Sequence, residues 1–161
     1  HKTIILGVAS EWAERKGLKD FIKLWEKIEH EKFAIVLIGL DKEQIKKLPA
    51  GIIGMGRTSN LDELIGAYSG ADFFFDPTYD DNFPTTNLEA IACGTPVITY
   101  KTGGSPETLI PDNGWVTGKG DIDAVIEIIK NESKKGKNVF LPDIFKRESM
   151  IAGYLNLYDT V

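Results

Sequence analysis

The sequence contains little cysteine or histidine and no long apolar run. Cys93 is its only cysteine, which excludes an internal disulfide, and its apolar neighbours favour a small packed hydrophobe over a nucleophile. The two histidines give no basis for a metal cluster or for a Ser-His-Asp triad. No apolar run approaches the roughly 20 residues that span a bilayer, and the amino terminus lacks a signal-peptide pattern, so we expect a cytoplasmic protein.

Basic charge is not concentrated in any part of the chain, and acidic residues outnumber basic ones by 24 to 19. A surface that binds nucleic acid needs a concentrated basic stripe, so we expect no nucleic-acid partner. The 161 residues are 42% apolar and 27% charged and contain no low-complexity segment. These values fit one ordered globular domain over residues 1–161.

Short apolar runs alternate with helical repeats along the chain. The runs TIILGVA (3–9) and FAIVLIG (33–39) are nearly unbroken, as in strands buried on both faces of a parallel sheet. This alternation predicts an α/β protein with a Rossmann-like, doubly wound parallel sheet and helices on both faces. The first helix is predicted from the spacing of Leu18, Phe21, Ile22 and Trp25. Further strands are predicted within 51–56, 71–77, 96–100 and 114–117, and further helices within 61–68, 85–93 and 122–129, with a last one after Pro142.

Two of the helix starts can be predicted from their side chains. Asn60, with Glu63 three residues later, is predicted to cap the helix at 61–68. Thr86 and Glu89 fit a capping box in the same way, in which the glutamate accepts the N–H of the cap residue. The first turn at 85–88 also offers unpaired N–H groups that suit a phosphate or diphosphate. A cap and a ligand-binding carboxylate are therefore both open explanations of Glu89.

The stretch DDNFPTTNLEAIACGTPVITYKTGGSPE (80–107) has two acidic residues eight apart, Asp81 and Glu89, then Ala-Cys-Gly-Thr-Pro-Val and Gly-Gly-Ser-Pro-Glu. It closely resembles the carboxy-terminal signature of retaining GT-B glycosyltransferases, in the large family of bacterial capsule, lipopolysaccharide and sucrose-type enzymes. The segments ERKGLKDFI (14–22) and NLDELIGAYSGADFFFDPTYDD (60–81) resemble the same family, so the likeness extends over nearly the whole chain. It implies one half of a GT-B fold, the nucleotide-sugar donor-binding domain, with the amino-terminal acceptor domain absent.

The resemblance implies roles for particular residues of this sequence. Asp81 corresponds to the first acidic residue, which lies against the donor sugar, although the family usually has glutamate there. Lys16 corresponds to the lysine that neutralises the departing diphosphate. Arg15 either replaces a family arginine that is missing at Ala9 and Ser10, or is an exposed loop charge. The residues implied in donor binding are Glu89 at the ribose hydroxyls, Asn82 and Phe83 at the sugar, and Thr86, Asn87 and Leu88 near the diphosphate.

Other charged groups have weaker cases for a function. Arg57 either lies near the nucleotide base or is a solvated loop arginine. Asp76, Asp80 and Asp81 lie close in sequence, but they lack the Asp-x-Asp spacing of metal-dependent transferases. We therefore expect neither a metal nor a cofactor.

The function that the resemblance implies is retaining transfer of a hexose-type sugar from a UDP-, GDP- or ADP-sugar to a polysaccharide or glycolipid acceptor. The chain alone is expected to bind the donor without turnover, because the acceptor site belongs to the other domain. Its last helix, from about residue 143, carries an apolar stripe that either packs on the core of this chain or, still unfinished at the end of the helix, contacts that domain. The full-length enzyme could associate peripherally with the inner face of the membrane. A nucleotide-sugar epimerase half-domain and a non-catalytic nucleotide-sugar-binding module are the alternatives.

Overall fold

The computed structural model describes residues 2–132 and 138–159, and within them the chain forms one parallel sheet of six strands. The strands are β1 (Thr3–Val8), β2 (Phe33–Ile38), β3 (Ile53–Met55), β4 (Phe73–Asp76), β5 (Val97–Tyr100) and β6 (Gly114–Thr117). Their spatial order is β3-β2-β1-β4-β5-β6. The order reverses between β1 and β4, and such a switch point leaves a crevice beyond the carboxyl ends of the two strands.

The helices are α1 (Leu18–Lys27), α2 (Lys42–Lys47), α3 (Leu61–Gly70), α4 (Thr85–Ala92), α5 (Ile122–Asn131) and α6 (Arg147–Asp159). The predicted cap of α3 is confirmed, since the side chain of Asn60 accepts the N–H of Glu63 at 2.9 Å. The sequence pattern does not predict α2, because Ile45 is its only apolar residue. A capping box between Asp41 and Gln44 begins that helix instead.

Apolar side chains cover both faces of the sheet. Phe73 and Phe75 of β4 point to one face, where α1 and α5 pack, and Phe74 between them points to the other, where α3 and α4 pack. Burying a large apolar side chain contributes about 1.5 to 3 kcal/mol, and both faces gain it. The predicted Rossmann-like sheet with helices on both faces is therefore confirmed.

The carboxy-terminal segment differs from the rest of the fold in its exposure. Helix α6 begins at Arg147, after a short 3-10 turn over Asp143–Phe145, and none of its described residues is buried. Its apolar side chains therefore face outward over most of its length. The exposed apolar residues of this segment are Ile144, Met150, Ile151, Tyr154, Leu155, Leu157 and Tyr158.

Candidate functional site

A cavity of about 480 Å³ opens at the switch point of the sheet. The loops that follow β1, β2 and β3 form one side of it, and the loop that enters α4 forms the other. Its wall includes both basic and acidic side chains and the first turn of a helix. The lining residues are Val8, Ala9, Ser10, Lys16, Ile38, Gly39, Arg57, Thr58, Leu64, Asp81, Phe83, Pro84, Thr85, Thr86 and Glu89.

An ion pair between Lys16 and Asp81 lies in this wall. The Nζ atom of Lys16 is 2.6 Å from Oδ2 of Asp81, and both side chains are only 18% exposed. Burial raises the pKa of Asp81, but the hydrogen bond and charge of Lys16 and the amide of Phe83 outweigh it, so the pKa is lowered overall. Arg15 lies at 3.7 Å from the same oxygen and donates to the carbonyl of Asp80, but it does not line the cavity. The site therefore holds an ionised acid against two cations.

The position of Lys16 is set by a tight turn between β1 and α1. Gly17 has a φ of 73°, and a Cβ at this residue would lie 2.2 Å from the carbonyl oxygen of Pro77. Only glycine allows both the backbone conformation and this close approach. The N–H of Tyr79 also donates to the carbonyl of Arg15 at 2.7 Å. The turn that carries Arg15 and Lys16 therefore packs on, and is hydrogen-bonded to, the loop that follows β4.

The turn at Gly103 and Gly104 packs against the loop that carries Asp81. The N–H of Gly104 donates to the carbonyl of Asp81 at 3.1 Å. A Cβ on Gly103 would lie 2.0 Å from the carbonyl oxygen of Asp81, and one on Gly104 would lie 1.9 Å from that of Asn82. The two glycines let one backbone pack directly on the other, so they hold the loop that carries Asp81.

A second carboxylate, Asp76, lies behind this loop at the end of β4. It is buried, and burial raises its pKa to about 6 although the charge of Lys16 opposes the shift. Its Oδ2 has no hydrogen-bond partner in the described part of the chain. Asp76 does not line the cavity, but its charge interacts with those of Lys16 and Asp81.

The amino end of α4 points toward the cavity. Among residues 2–132 and 138–159, the N–H groups of Thr85 and Thr86 have no acceptor, while that of Asn87 donates to the carbonyl of Pro84. The side chain of Asn87 is buried and donates to Thr108 Oγ1 at 2.9 Å. Leu88 packs into the core with α3. Of the predicted diphosphate residues, only Thr86 lies on the cavity wall.

Glu89 lies one turn further along α4, with its side chain exposed on the cavity wall. The capping-box interpretation of this residue is wrong. Helix α4 begins at Thr85, Pro84 is its cap residue, and no side chain makes a cap hydrogen bond. Glu89 Oε2 instead accepts the hydroxyl of Tyr68, on α3, at 2.9 Å. The carboxylate is therefore held at the cavity by a neighbouring helix.

Of the two residues predicted to contact the sugar, Phe83 lines the cavity and Asn82 does not. Phe83 lines the cavity, but its N–H already donates to Asp81 Oδ1 at 3.2 Å. Asn82 is exposed outside the cavity wall. Arg57, which the sequence left between two interpretations, does line the cavity, and its guanidinium donates to the carbonyl of Ser10 at 2.9 Å.

Asp20 is a buried charged residue whose structural role the sequence pattern does not reveal. It lies in the first turn of α1, where it is 1% exposed. Its Oδ2 accepts the hydroxyls of Tyr79 at 2.7 Å and Tyr100 at 3.0 Å, and its Oδ1 accepts from Lys23 at 2.7 Å. The hydrogen bond to Asp20, together with burial, raises the pKa of Tyr79 to about 12. This contact supports the loop between β4 and α4 from the α1 side.

Metal and membrane features are absent from the described residues. Residues 2–132 and 138–159 contain no group of three or more His, Cys, Asp or Glu side chains placed to hold a metal ion. The same part of the chain has no helix with the length and apolar character needed to cross a membrane.

The six-stranded parallel sheet and the cavity at its switch point define the chain as a Rossmann-like domain with room for a ligand. The model of the family described as glycosyl transferases group 1 matches residues 1–138. The chain therefore belongs to the group 1 glycosyl transferases.

Named relatives are similar over different shares of their length. The chain is 30% identical over 122 residues to the D-inositol 3-phosphate glycosyltransferase of Corynebacterium jeikeium. This alignment covers 65% of the chain and 29% of that protein. It is 27% identical over 175 residues to the N,N'-diacetylbacillosaminyl-diphospho-undecaprenol alpha-1,3-N-acetylgalactosaminyltransferase of Campylobacter jejuni, with 99% and 45% covered. The chain thus spans less than half the length of these relatives.

Solved structures share the fold. Sucrose-phosphate synthase from Thermosynechococcus elongatus matches with a TM-score of 0.81 and 22% identity, over 99% of this chain and 45% of that one. HepE from Anabaena, solved in complex with UDP-glucose, matches with a TM-score of 0.65 and 22% identity, over 80% of this chain and 38% of that one.

Proposed function

We propose that this chain is the donor-binding half of a retaining glycosyltransferase, which transfers a hexose-type sugar from a nucleoside diphosphate sugar to a polysaccharide or glycolipid acceptor. One observation carries the proposal. The cavity at the switch point brings together a lysine, a helix amino terminus and two carboxylates, although they come from segments far apart in the chain. These groups match the diphosphate, the ribose and the sugar of such a donor.

The diphosphate fits between Lys16 and the amino end of α4. The N–H groups of Thr85 and Thr86 and the positive end of the helix dipole favour an anion there. Lys16 lines the same cavity, and Arg15 lies 3.7 Å from the carboxylate of Asp81 that Lys16 contacts. Cationic groups that face a departing diphosphate stabilise the charge that develops on it, commonly by several kcal/mol. Departure of the diphosphate would therefore need no metal ion and no cofactor.

The ribose and the sugar fit on either side of the diphosphate. Glu89 on α4 presents a carboxylate, and a charged acceptor suits a vicinal diol. Asp81 and Phe83 line the other part of the wall, where the donor sugar would lie with Asn82 next to it. Arg57 also lines the cavity, and we assign it to the nucleotide base. The assignment thus uses each charged group of the wall.

The names of similar proteins support a nucleotide sugar and leave the base open. HepE was solved with UDP-glucose. A mannosyltransferase of Corynebacterium glutamicum, 28% identical over 142 residues, is named as GDP-mannose-dependent. We therefore keep UDP, GDP and ADP as candidate carriers of the sugar.

The acceptor would bind to a second domain that lies outside this chain. The exposed apolar residues of the segment that ends in α6 are consistent with a contact to that domain. A glycolipid or lipid-linked acceptor would place the complete enzyme at the inner face of the membrane, in the cytoplasm. The chain alone would then bind the donor and transfer nothing.

Calorimetric titration of the purified chain with UDP, GDP, ADP and their sugar conjugates tests the proposal. We expect saturable binding of one nucleotide, weakened at least 10-fold by Glu89→Ala and by Lys16→Ala, since each removes a charged contact of about 1.5 to 3 kcal/mol. Glu43→Ala and Lys46→Ala are the matched controls, because these residues form an exposed ion pair on α2. Absence of binding at millimolar concentration, in the chain and in the full-length protein alike, would contradict the proposal.

A further inference from the structure

We propose that Tyr68 is a positioning residue that fixes the carboxylate of Glu89 for the ribose hydroxyls of the donor. The inference rests on the proposed function, because it deepens the role given there to Glu89. It concerns a residue of α3 that does not line the cavity itself. Tyr68, which is buried, would thereby strengthen the preference of the site for nucleotides that contain ribose hydroxyls.

The contact between the two residues is specific. The hydroxyl of Tyr68 donates to Glu89 Oε2 at 2.9 Å. Burial, reinforced by the negative charge of Glu89, raises the pKa of Tyr68 far above its ordinary value, so the phenol remains a proton donor at every physiological pH. A donor to a charged acceptor makes one of the stronger hydrogen bonds in proteins.

The two partners differ in mobility. Tyr68 is 1% exposed, and its ring packs edge-on against Phe74 of β4 at a centroid distance of 5.4 Å. Its own carbonyl accepts the hydroxyl of Thr95, which joins the end of α3 to the turn after α4. Glu89 is exposed, and a glutamate has three rotatable side-chain bonds. The tyrosine is thus the fixed partner, and it restrains the glutamate.

This restraint leaves a defined acceptor for a ligand. Oε2 of Glu89 accepts the hydroxyl of Tyr68. Oε1 accepts no hydrogen bond from residues 2–132 and 138–159. Because the side chain is already ordered, binding of a diol avoids most of the entropy that an unrestrained side chain would lose. That loss is about 0.5 to 1.5 kcal/mol for a side chain of this kind, which corresponds to about 2- to 13-fold in affinity.

The test compares two probes on five proteins. The probes are the nucleoside diphosphate that binds best among UDP, GDP and ADP, and its 2′,3′-dideoxy analogue. The proteins are the wild type, Tyr68→Phe, Glu89→Gln, the double variant of these two, and Tyr100→Phe as a matched control. Tyr100 is as buried as Tyr68, but its hydroxyl bonds to Asp20, on the opposite face of the sheet.

We expect Tyr68→Phe to weaken binding of the ribonucleotide by about 2- to 13-fold and to leave binding of the dideoxy analogue unchanged. The double variant Tyr68→Phe/Glu89→Gln should lose no more affinity than the more affected of the two single variants. Tyr100→Phe should change the affinity for neither probe. The ratio between the probes is the readout, because a general loss of packing would weaken both of them equally.

Two results would overturn the inference. Equal weakening of both probes by Tyr68→Phe would show that the tyrosine acts through packing alone, and no weakening of either would show that Glu89 needs no restraint. Failure of the proposed function gives a different result, namely a wild-type chain that binds none of the three nucleotides, in which case the inference falls with it.

Discussion

Replacement of Asp20 by alanine is expected to destabilise the protein by roughly 3 kcal/mol. Hydrogen bonds to a charged acceptor contribute about 1.5 to 3 kcal/mol each, and Tyr100, which is 0% exposed, would keep a hydroxyl without an acceptor. Tyr79 is only partly buried, so water can replace its lost partner, and it adds about 1 kcal/mol. Lys23 adds little because its side chain is 55% exposed.

Equilibrium unfolding in urea at pH 7 measures this loss directly. An unchanged slope with a lower midpoint indicates a change in stability alone. Asp123→Ala is the control, since its carboxylate is 79% exposed and pairs with Lys27, and we expect a loss below about 1 kcal/mol. Tyr100→Phe should cost about 1 to 2 kcal/mol, less than Asp20→Ala, because it removes donor and hydrogen bond together.

The reasoning fails if Asp20→Ala and Asp123→Ala destabilise the protein by similar amounts. Such a result would mean that the two hydroxyls find water or other acceptors after the substitution. The reasoning would also fail if Tyr100→Phe lowered the free energy of unfolding as much as Asp20→Ala does. The stabilisation would then not come from the hydroxyl groups that Asp20 accepts.

Three further predictions concern the loops around the cavity. Gly17→Ala should abolish nucleotide binding and lower the thermal unfolding midpoint, because the added Cβ would clash with the carbonyl oxygen of Pro77. Unchanged binding would contradict the role of this turn. The raised pKa of Asp76, about 6 against an ordinary 3.8, means that the folded protein holds the extra proton between these values, so stability falls as pH rises through this window. Asp76→Asn should therefore be more stable than the wild type by on the order of 3 kcal/mol at pH 7.5 and similar to it at pH 3.5, and urea unfolding at the two pH values checks the difference. Asp81→Asn removes a negative charge next to Lys16, so calorimetry at low salt should find free nucleoside diphosphate bound about 10-fold tighter, whereas weaker binding would show that Asp81 mainly orders the loop.

The strands, and the meeting of Lys16 with Asp81, could be predicted from the sequence. Runs such as TIILGVA are apolar at every position because both faces of the sheet are covered, so the pattern alone locates the strands. Lys16 follows β1 and Asp81 follows β4. Once the chain is recognised as doubly wound, the switch point brings these two loops to one crevice.

The partners of buried polar groups could not be predicted in this way. Asp20 and Tyr100 are 80 residues apart, and no local pattern records their hydrogen bond. Glu89 looked like half of a capping box because Thr86 stands three residues before it. Pro84 begins the helix earlier, so Thr86 lies inside the first turn and cannot act as the cap residue.

The ion pair of the cavity has a consequence for the kinetics of exchange. The ammonium of Lys16 has an anionic partner within the chain itself, and the whole protein carries a net charge of -5. Long-range attraction therefore adds little to the association rate of an anionic nucleotide, and this rate should depend only weakly on ionic strength. If a diphosphate binds at Lys16 as proposed, Asp81 can pair again with this partly buried cation when the diphosphate leaves. In the proposed donor site, the contact that would hold the nucleotide would therefore also favour its rapid release.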